Sequence, residues 1–398
     1  MDLNVETAAL LLLVAAAVAM LTRRLHLPYS VGLVAAGTVL AFLPYSPQVN
    51  LTKELLFTVL LPPLIFEAAF YIDWKHLRHD FAPVLVLATA GVLLSAGVTT
   101  AGMHFLGHWP WMTSLIFGVL IAATDPVSVI ATFKETQVRG RLLLLVESES
   151  LLNDATAAVL LVVVLELATG KSITPAEIGA KLVVMTGGSI LCGAVVAGAA
   201  LLLAGRTEDH LVEITLTTIA AYGSFLLAEH FHLSGVLATL TAGLMLGNLT
   251  SFGKISDRGR EAALAFWEYA AFVSNSFVFL LIGMREARED FKAAWVVAAL
   301  AILLVTIGRA AAVYPCCFLF DRSSLRVSAQ HQHALFWGGL RGALALALAL
   351  GLPAEVPGRN LIITVSFAVV AFSIFVQGLT MPPLLRALGE IRRPARES

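Results

Sequence analysis

Asp125 and Asp154 stand inside long apolar runs, IFGVLIAATDPVSVIATF over residues 116–133 and ESESLLNDATAAVLLVVV over residues 147–164. A carboxylate near the bilayer centre costs about 2.5–3.5 kcal/mol on insertion scales, so one that persists there as a rule lines an ion path or a proton relay. Around Asp154 more oxygen recurs at helical spacing: Ser150, Asn153 and Asp154 share one helix face, and Glu149 lies beside it. Carboxylate, hydroxyl, amide and free backbone carbonyl are the ligands that a hard, dehydrated Na+ or Li+ takes. Thr124 and Asp125 precede Pro126, which lacks a donor N–H and clashes with the preceding turn, so the helix is expected to break there and free further carbonyls. Asn, Ser and Asp also serve as bonds between membrane helices, each contact contributing about 0.6 kcal/mol. A lone carboxylate is costly for that purpose, which favours an ion-carrying role for Asp154. Asp125 has a structural alternative, the neutralisation of positive ends of broken helices.

Elements that must position these groups are set by composition. The chain is 58% hydrophobic and 13% charged over 398 residues, whereas soluble domains run at about 25% charged. This predicts an all-α polytopic membrane protein, since a spanning helix needs about 20 apolar residues and runs of that size recur. Thirteen candidate spans fit between residues 5 and 385. The runs are continuously apolar and lack the alternation of a membrane β-barrel. Net charge is −1, which gives no basic face for nucleic acid, and Cys192, Cys316 and Cys317 fall in or beside apolar runs as small core residues. Asp2 and Glu6 precede the first run and Arg23 and Arg24 follow it, the reverse of a secretory signal, so that helix is retained. One transmembrane domain over 1–388 is expected, with a basic tail at 389–398 too short for a regulatory module.

Counting Lys and Arg in alternate loops puts 17 on one side and 7 on the other, leaving only Arg309 and Arg341 inside spans. The richer side, which carries the C-terminus, is then cytoplasmic and the N-terminus outside. Two spans are expected to be broken: the fifth at Thr124-Asp125-Pro126, and the twelfth at FWGGLRGAL over residues 336–344. They are seven spans apart, an odd number, so helices related by that offset run in opposite directions. Inverted repeats with broken helices crossing at the midplane mark a transporter's ion site.

Each arginine within a span needs an anion. Glu149 is the expected partner of Arg341, with Arg309 in competition for it. Glu67, in LPPLIFEAAFYI over residues 61–72, lies near the cytoplasmic end of its span and either guards a funnel or snorkels to the headgroups. Glu147, nearer the cytoplasmic end of its helix than Asp154, is expected to be solvated. Asn275, Ser276 and Gln377 read as polar packing, and the histidines at span ends as interface residues.

The segments LPPLIFEAAF, ATDPVSVIATFKE, ESESLLNDATAAV, NSFVFLLIGM and FWGGLRGALALALAL occur in this order. Together they resemble the sodium/proton exchanger family of monovalent cation/proton antiporters, in its electroneutral bacterial branch, over about residues 61–350. The resemblance implies a homodimer of thirteen-helix protomers in the plasma or inner membrane. In each protomer a core bundle, about 80–168 and 292–385, would move elevator-fashion against a dimerisation bundle, about 5–71 and 175–284. It implies that Asp154 takes up the cation or the proton and that Thr124, Asp125, Ser150 and Asn153 surround it, with Na+ held at Asp154, Ser150 and Thr124. Glu149 and Arg341 would be a supporting ion pair, and Glu67, Arg309 and Glu147 accessory. No cofactor is implied; the cargo is H+ against Na+, Li+ or K+. Asn153-Asp154 resembles electroneutral members, whereas electrogenic relatives carry two adjacent Asp, so one-for-one exchange is expected.

Three other classes fit less well. A proton- or sodium-coupled symporter needs a cavity for an organic solute, yet the midplane polar residues are few, small and centred on carboxylates. A cation channel needs a filter of repeated carbonyls or side-chain rings, for which there is no candidate loop. No HExxH or GxSxG motif suggests an enzyme within the membrane.

Overall fold

The computed structural model describes residues 5–25, 27–43, 52, 54–125, 133, 138, 140–168, 174–207, 209–249, 256–287 and 294–391. Every regular element among them is helical. In chain order these are α1 (Val5–Leu25), α2 (Tyr29–Ala41), α3 (Leu55–Tyr71), α4 (Trp74–Phe105), α5 (Trp111–Leu120), α6 (Arg141–Ala168) and α7 (Pro175–Ala204). Then follow α8 (His210–His230), α9 (Gly235–Leu249), α10 (Asp257–Glu286), α11 (Trp295–Phe318), α12 (Ala329–Trp337), α13 (Ala343–Leu350) and α14 (Arg359–Ala387). Eight of them are at least 18 residues long and apolar enough to cross a membrane, and four more are apolar but shorter. The protein is therefore a multi-pass membrane protein.

Helix starts follow polar residues that satisfy the unpaired N–H groups of the first turn. The Asp73 carboxylate accepts the Lys75 N–H at 2.7 Å ahead of α4, and this bond holds the exposed carboxyl below its ordinary range. Thr174 and Glu177 form a reciprocal capping box at α7. Asp209, Ser256 and Ser328 cap α8, α10 and α12.

Burial is inverted relative to a soluble protein. Leu13, Met20, Val183, Leu202 and Phe318 are exposed on the outer surface, where acyl chains can cover them, whereas Glu149, Ser150, Asn153 and Arg341 are buried inside. Lipid gives no hydrophobic drive between helices, so small residues and close backbone approach hold them together. Between α2 and α10, a methyl added at Gly37 would overlap the Leu280 carbonyl, and one at Gly283 the Val34 carbonyl.

The helices pack most closely in two sets. In one, α10 lies against α2, α3 and α8, while α9 joins α3, α7 and α8. In the other, α4 packs on α5, α6 and α11, and α14 joins α11 to α13. The helix α6 faces both, touching α3, α7 and α9. Two interruptions lie in this second set. α5 ends at Leu120 and residues 123–125 are not helical, while Pro126, the residue expected to cause that break, lies outside the described residues, as does the chain end from 392. α12 ends at Trp337 and α13 starts at Ala343, with residues 338–342 between them.

Candidate functional site

Where a chain leaves its helix inside a membrane, its backbone polar groups must find partners within the protein. Asn153 supplies them for Thr124. Its Oδ1 accepts the Thr124 N–H at 3.0 Å, and its Nδ2 donates to Thr124 Oγ1 at 2.6 Å and to Glu149 Oε1 at 3.0 Å. Thr124 Oγ1 also lies 2.6 Å from Ser150 Oγ. The face of α6 read from the sequence thus grips the chain just past α5 through Asn153 and Ser150.

The two interruptions are tied to each other. The Asp125 N–H donates to the Leu340 carbonyl at 2.7 Å. The Asp125 side chain lies against Gly342, so closely that a methyl there would overlap it. Gly342 immediately precedes α13, which puts the carboxylate at the positive amino end of that helix. The arginines occupy the opposite poles. Arg341 Nη1 donates to the carbonyls of Ala122 (3.1 Å) and Ala123 (3.3 Å), just past the carboxyl end of α5. Arg309 donates from Nε and Nη2 to the Leu335 carbonyl, in the last turn of α12. Each broken end therefore meets the charge that its dipole favours. Gly342→Ala is expected to push Asp125 out of place and cut transport about tenfold or more, with the folded protein still recovered; unchanged rates in vesicles would refute this contact's importance.

Glu149 pairs with Arg309, which corrects the expected Glu149–Arg341 pair. Arg309 Nη1 and Nη2 donate to Glu149 Oε1 at 2.7 Å and Oε2 at 3.0 Å. The reason is geometric: from α11 the guanidinium reaches both carboxylate oxygens as a fork, while that of Arg341 is engaged with the backbone of residues 122 and 123. The Arg341 N–H is itself held by Ser373 Oγ at 3.1 Å, and Ser373 donates to Gln377 Oε1 at 2.6 Å. This makes Gln377 a support for the segment between α12 and α13 rather than general packing. Both residues lie in a wide π-type turn of α14, a distortion frequent at functional sites.

Asp154 differs from its neighbours. It is buried, and its Oδ1 has no hydrogen-bond partner among the described residues. It faces a cavity of about 30 Å³ together with Thr124 and Asp125. The facing wall comes from α3 and α10, through Leu61, Leu64, Ile65, Asn275 and Phe279. Ser150 and Asn153 do not line it; they stand behind Thr124.

Residues 9–387 match the family described as sodium/hydrogen exchanger, transmembrane. The chain belongs to the sodium/hydrogen exchanger family. It is 39% identical over 370 residues to the Na+/H+ antiporter ApNhaP of Aphanothece halophytica, covering 92% of this chain and 70% of that one. It is 32% identical to the Na+/H+ antiporter NhaH of Halobacillus dabanensis, covering 96% and 97%. Its fold superposes on that of the sodium proton antiporter MjNhaP1 of Methanocaldococcus jannaschii with a TM-score of 0.81 at 19% identity, covering 99% and 100% of the two chains.

In this exchanger-family chain the accessory acids stand apart from the cavity. Glu67 is half-buried on α3, one turn before Tyr71, and does not line it. Glu147 opens instead onto a larger cavity at the start of α6, beside Asp80 and Arg141. There Arg141 holds the buried Asp80 through Nε and Nη2 and reaches the carbonyls of Leu325 and Arg326. Neither Asp80 nor Arg141 was singled out in the sequence, because a charged residue at a span end looks like an ordinary solvated one; the long reach of Arg141 across the loop after α11 is visible only in three dimensions.

Proposed function

We propose that the chain exchanges Na+ for H+ across a cell membrane, one for one, by competition of the two ions for Asp154. The observation that carries this reading is the unpartnered Oδ1 of Asp154 on a cavity shared with Asp125 and Thr124. A buried carboxylate oxygen left without a protein partner is costly, and a proton or a small cation removes that cost. Thr124 and the two carboxylates supply oxygen to Na+ directly. Ser150 and Asn153 hold Thr124 in place and complete the ligand set when Thr124 turns. The names of the relatives, Na+/H+ antiporters, support the choice of cargo.

Charge counting supports the stoichiometry. Around the cavity lie three acids, Glu149, Asp125 and Asp154, and two arginines, Arg309 and Arg341. With all five ionised the cluster carries one net negative charge, which one H+ or one monovalent cation cancels. The loaded cluster is neutral and crosses; the empty one is charged and does not. Moving one net charge against 100 mV costs about 2.3 kcal/mol, a barrier to the empty carrier and the basis of strict coupling.

The architecture of this proposal is a dimer of thirteen-span protomers in the plasma membrane, N-terminus outside and C-terminus cytoplasmic. The two packing sets suit a core that slides, elevator-fashion, against a dimerisation bundle, and the interruptions near Asp125 and Arg341 suit two broken helices related by an inverted repeat. Li+ and K+ are alternative cargo. The test is transport by purified protein in proteoliposomes. Na+-driven proton movement is expected to be independent of imposed potential, and to fall at acid pH for want of bound cation and at alkaline pH for want of protons. A rate that follows the potential would reject the one-for-one stoichiometry.

A further inference from the structure

Asn275 is the one polar residue on the α3–α10 wall of the cavity; Leu61, Leu64, Ile65 and Phe279 make up the rest of that wall. It is buried, and its Oδ1 has no hydrogen-bond partner among the described residues. Its neighbour Ser276 shows what ordinary packing looks like at this point of α10. Ser276 Oγ donates to the Phe272 carbonyl at 2.5 Å and lies 2.8 Å from Tyr29 Oη, fully used in holding α10 to the start of α2. Successive residues of a helix point about 100° apart, so the two side chains serve different neighbours.

An amide oxygen buried without a partner costs about 1–3 kcal/mol, and leucine would fill the same space without that cost. The wall around it is already leucine, isoleucine and phenylalanine. Across the cavity the other orphaned oxygen is Asp154 Oδ1. Two unpartnered oxygens on opposite walls of a space of about 30 Å³ fit one small occupant that accepts lone pairs from both. A hard cation does so, and wants more oxygens than Thr124, Asp125 and Asp154 supply.

We infer that Asn275 Oδ1 is a ligand to the transported cation, contributed from the opposite helix set, and that it sets affinity and selectivity among monovalent cations. The inference rests on the Na+/H+ exchange proposed above. An amide oxygen suits the position because it adds a ligand without adding a fixed anion that would hold the cation back when the core moves. Since α10 and α6 belong to different packing sets, the contact exists only while the sets hold this relative position. A core that slides carries the ion away from Asn275, which then acts on binding at one stage of the cycle and leaves Asp154 alone to hold the ion at the next.

The test is proteoliposome transport by wild type, Asn275→Leu and Asn275→Asp, with Na+ and Li+ titrated separately. Asn275→Leu keeps the shape and removes the oxygen. It is expected to raise KM for Na+ about tenfold, the loss of one charge-assisted contact, with maximal rate little changed. Li+, smaller and satisfied by fewer ligands, shifts less, so the Li+ to Na+ preference rises. Asn275→Asp keeps an oxygen and adds a charge to the wall that stays behind: KM for Na+ falls, and exchange stays independent of imposed potential. Unchanged Na+ KM in Asn275→Leu, or an equal shift for both ions, overturns the assignment and leaves Asn275 holding water. Where Asn275→Leu is not recovered folded, Asn275→Asp decides, and an unchanged KM for Na+ in it overturns the assignment. Absence of Na+-driven proton movement in the wild type overturns the exchange reading itself; wild-type exchange with an unaltered Asn275→Leu overturns the ligand alone.

Discussion

Asp154→Asn is expected to abolish Na+-driven proton movement, by at least about a hundredfold, or about 2.7 kcal/mol, without loss of folded protein. The asymmetry follows from what Asp154 does not touch. Its Oδ1 bonds to nothing in the described structure, so an amide of the same size forfeits no contact there and relieves the cluster of one buried charge. What it cannot do is release a proton and then hold a cation. Removing that charge leaves Glu149 and Asp125 balanced by Arg309 and Arg341, a cluster that is neutral when empty and can cross without cargo. The measurement is dequenching of a pH-sensitive dye in proteoliposomes after a Na+ pulse, with thermal unfolding of the same preparation recorded alongside. Retained exchange would remove Asp154 from the centre of the mechanism, and a large drop in unfolding temperature would give it a structural role instead.

Arg309→Met is expected to have the largest effect on stability, about 3–5 kcal/mol, since removing one partner of a buried pair leaves the other charge uncompensated. Glu149 is 1% exposed and takes both of its strong bonds from this guanidinium. The double variant Glu149→Leu with Arg309→Met is expected to recover much of that loss, because apolar replacement of a whole buried pair is often neutral or better. Transport need not return with it, since the cluster keeps its net charge but Asn153 loses the Glu149 contact that orients its amide. Arg341→Met gives a different pattern: the loss of bonds to the carbonyls of Ala122 and Ala123 loosens the chain just past α5, and Glu149→Leu does not rescue it. Thermal unfolding of the three single and two double variants measures both couplings. A stronger coupling of Glu149 to Arg341 than to Arg309 would overturn the pairing seen here.

These two predictions fall on residues that the sequence exposed to different degrees. The oxygen-bearing face of α6 was legible because its spacing is local: residues 150, 153 and 154 lie on one side of any helix, whatever the helix packs against. The non-helical stretch between α12 and α13 was signalled by Gly338, Gly339 and Gly342, and the membrane setting by apolar runs that need no partner to be recognised. The partner of Glu149 was not legible. Arg309 is 160 residues away along the chain, Arg341 lies further still, and both sit in apolar spans with equal need of an anion. Asn275 read only as polar packing, because an amide in a membrane helix is ordinary until its neighbours are known.

The sequence by itself determined the class of the protein, the order of its helices and the residue types available for carrying an ion. These depend on hydrophobicity and on helical periodicity, both properties of a short stretch of chain. Only the tertiary structure decided which oxygens are spent and which are free. Asn153, Ser150 and Thr124 are bound to one another, Glu149 is bound to Arg309, and Asp154 is left facing a cavity with Asn275 across it. A hydrogen bond forms only where donor and acceptor come within about 3 Å in the right direction, and that condition is met or missed by helix packing, which no local pattern encodes.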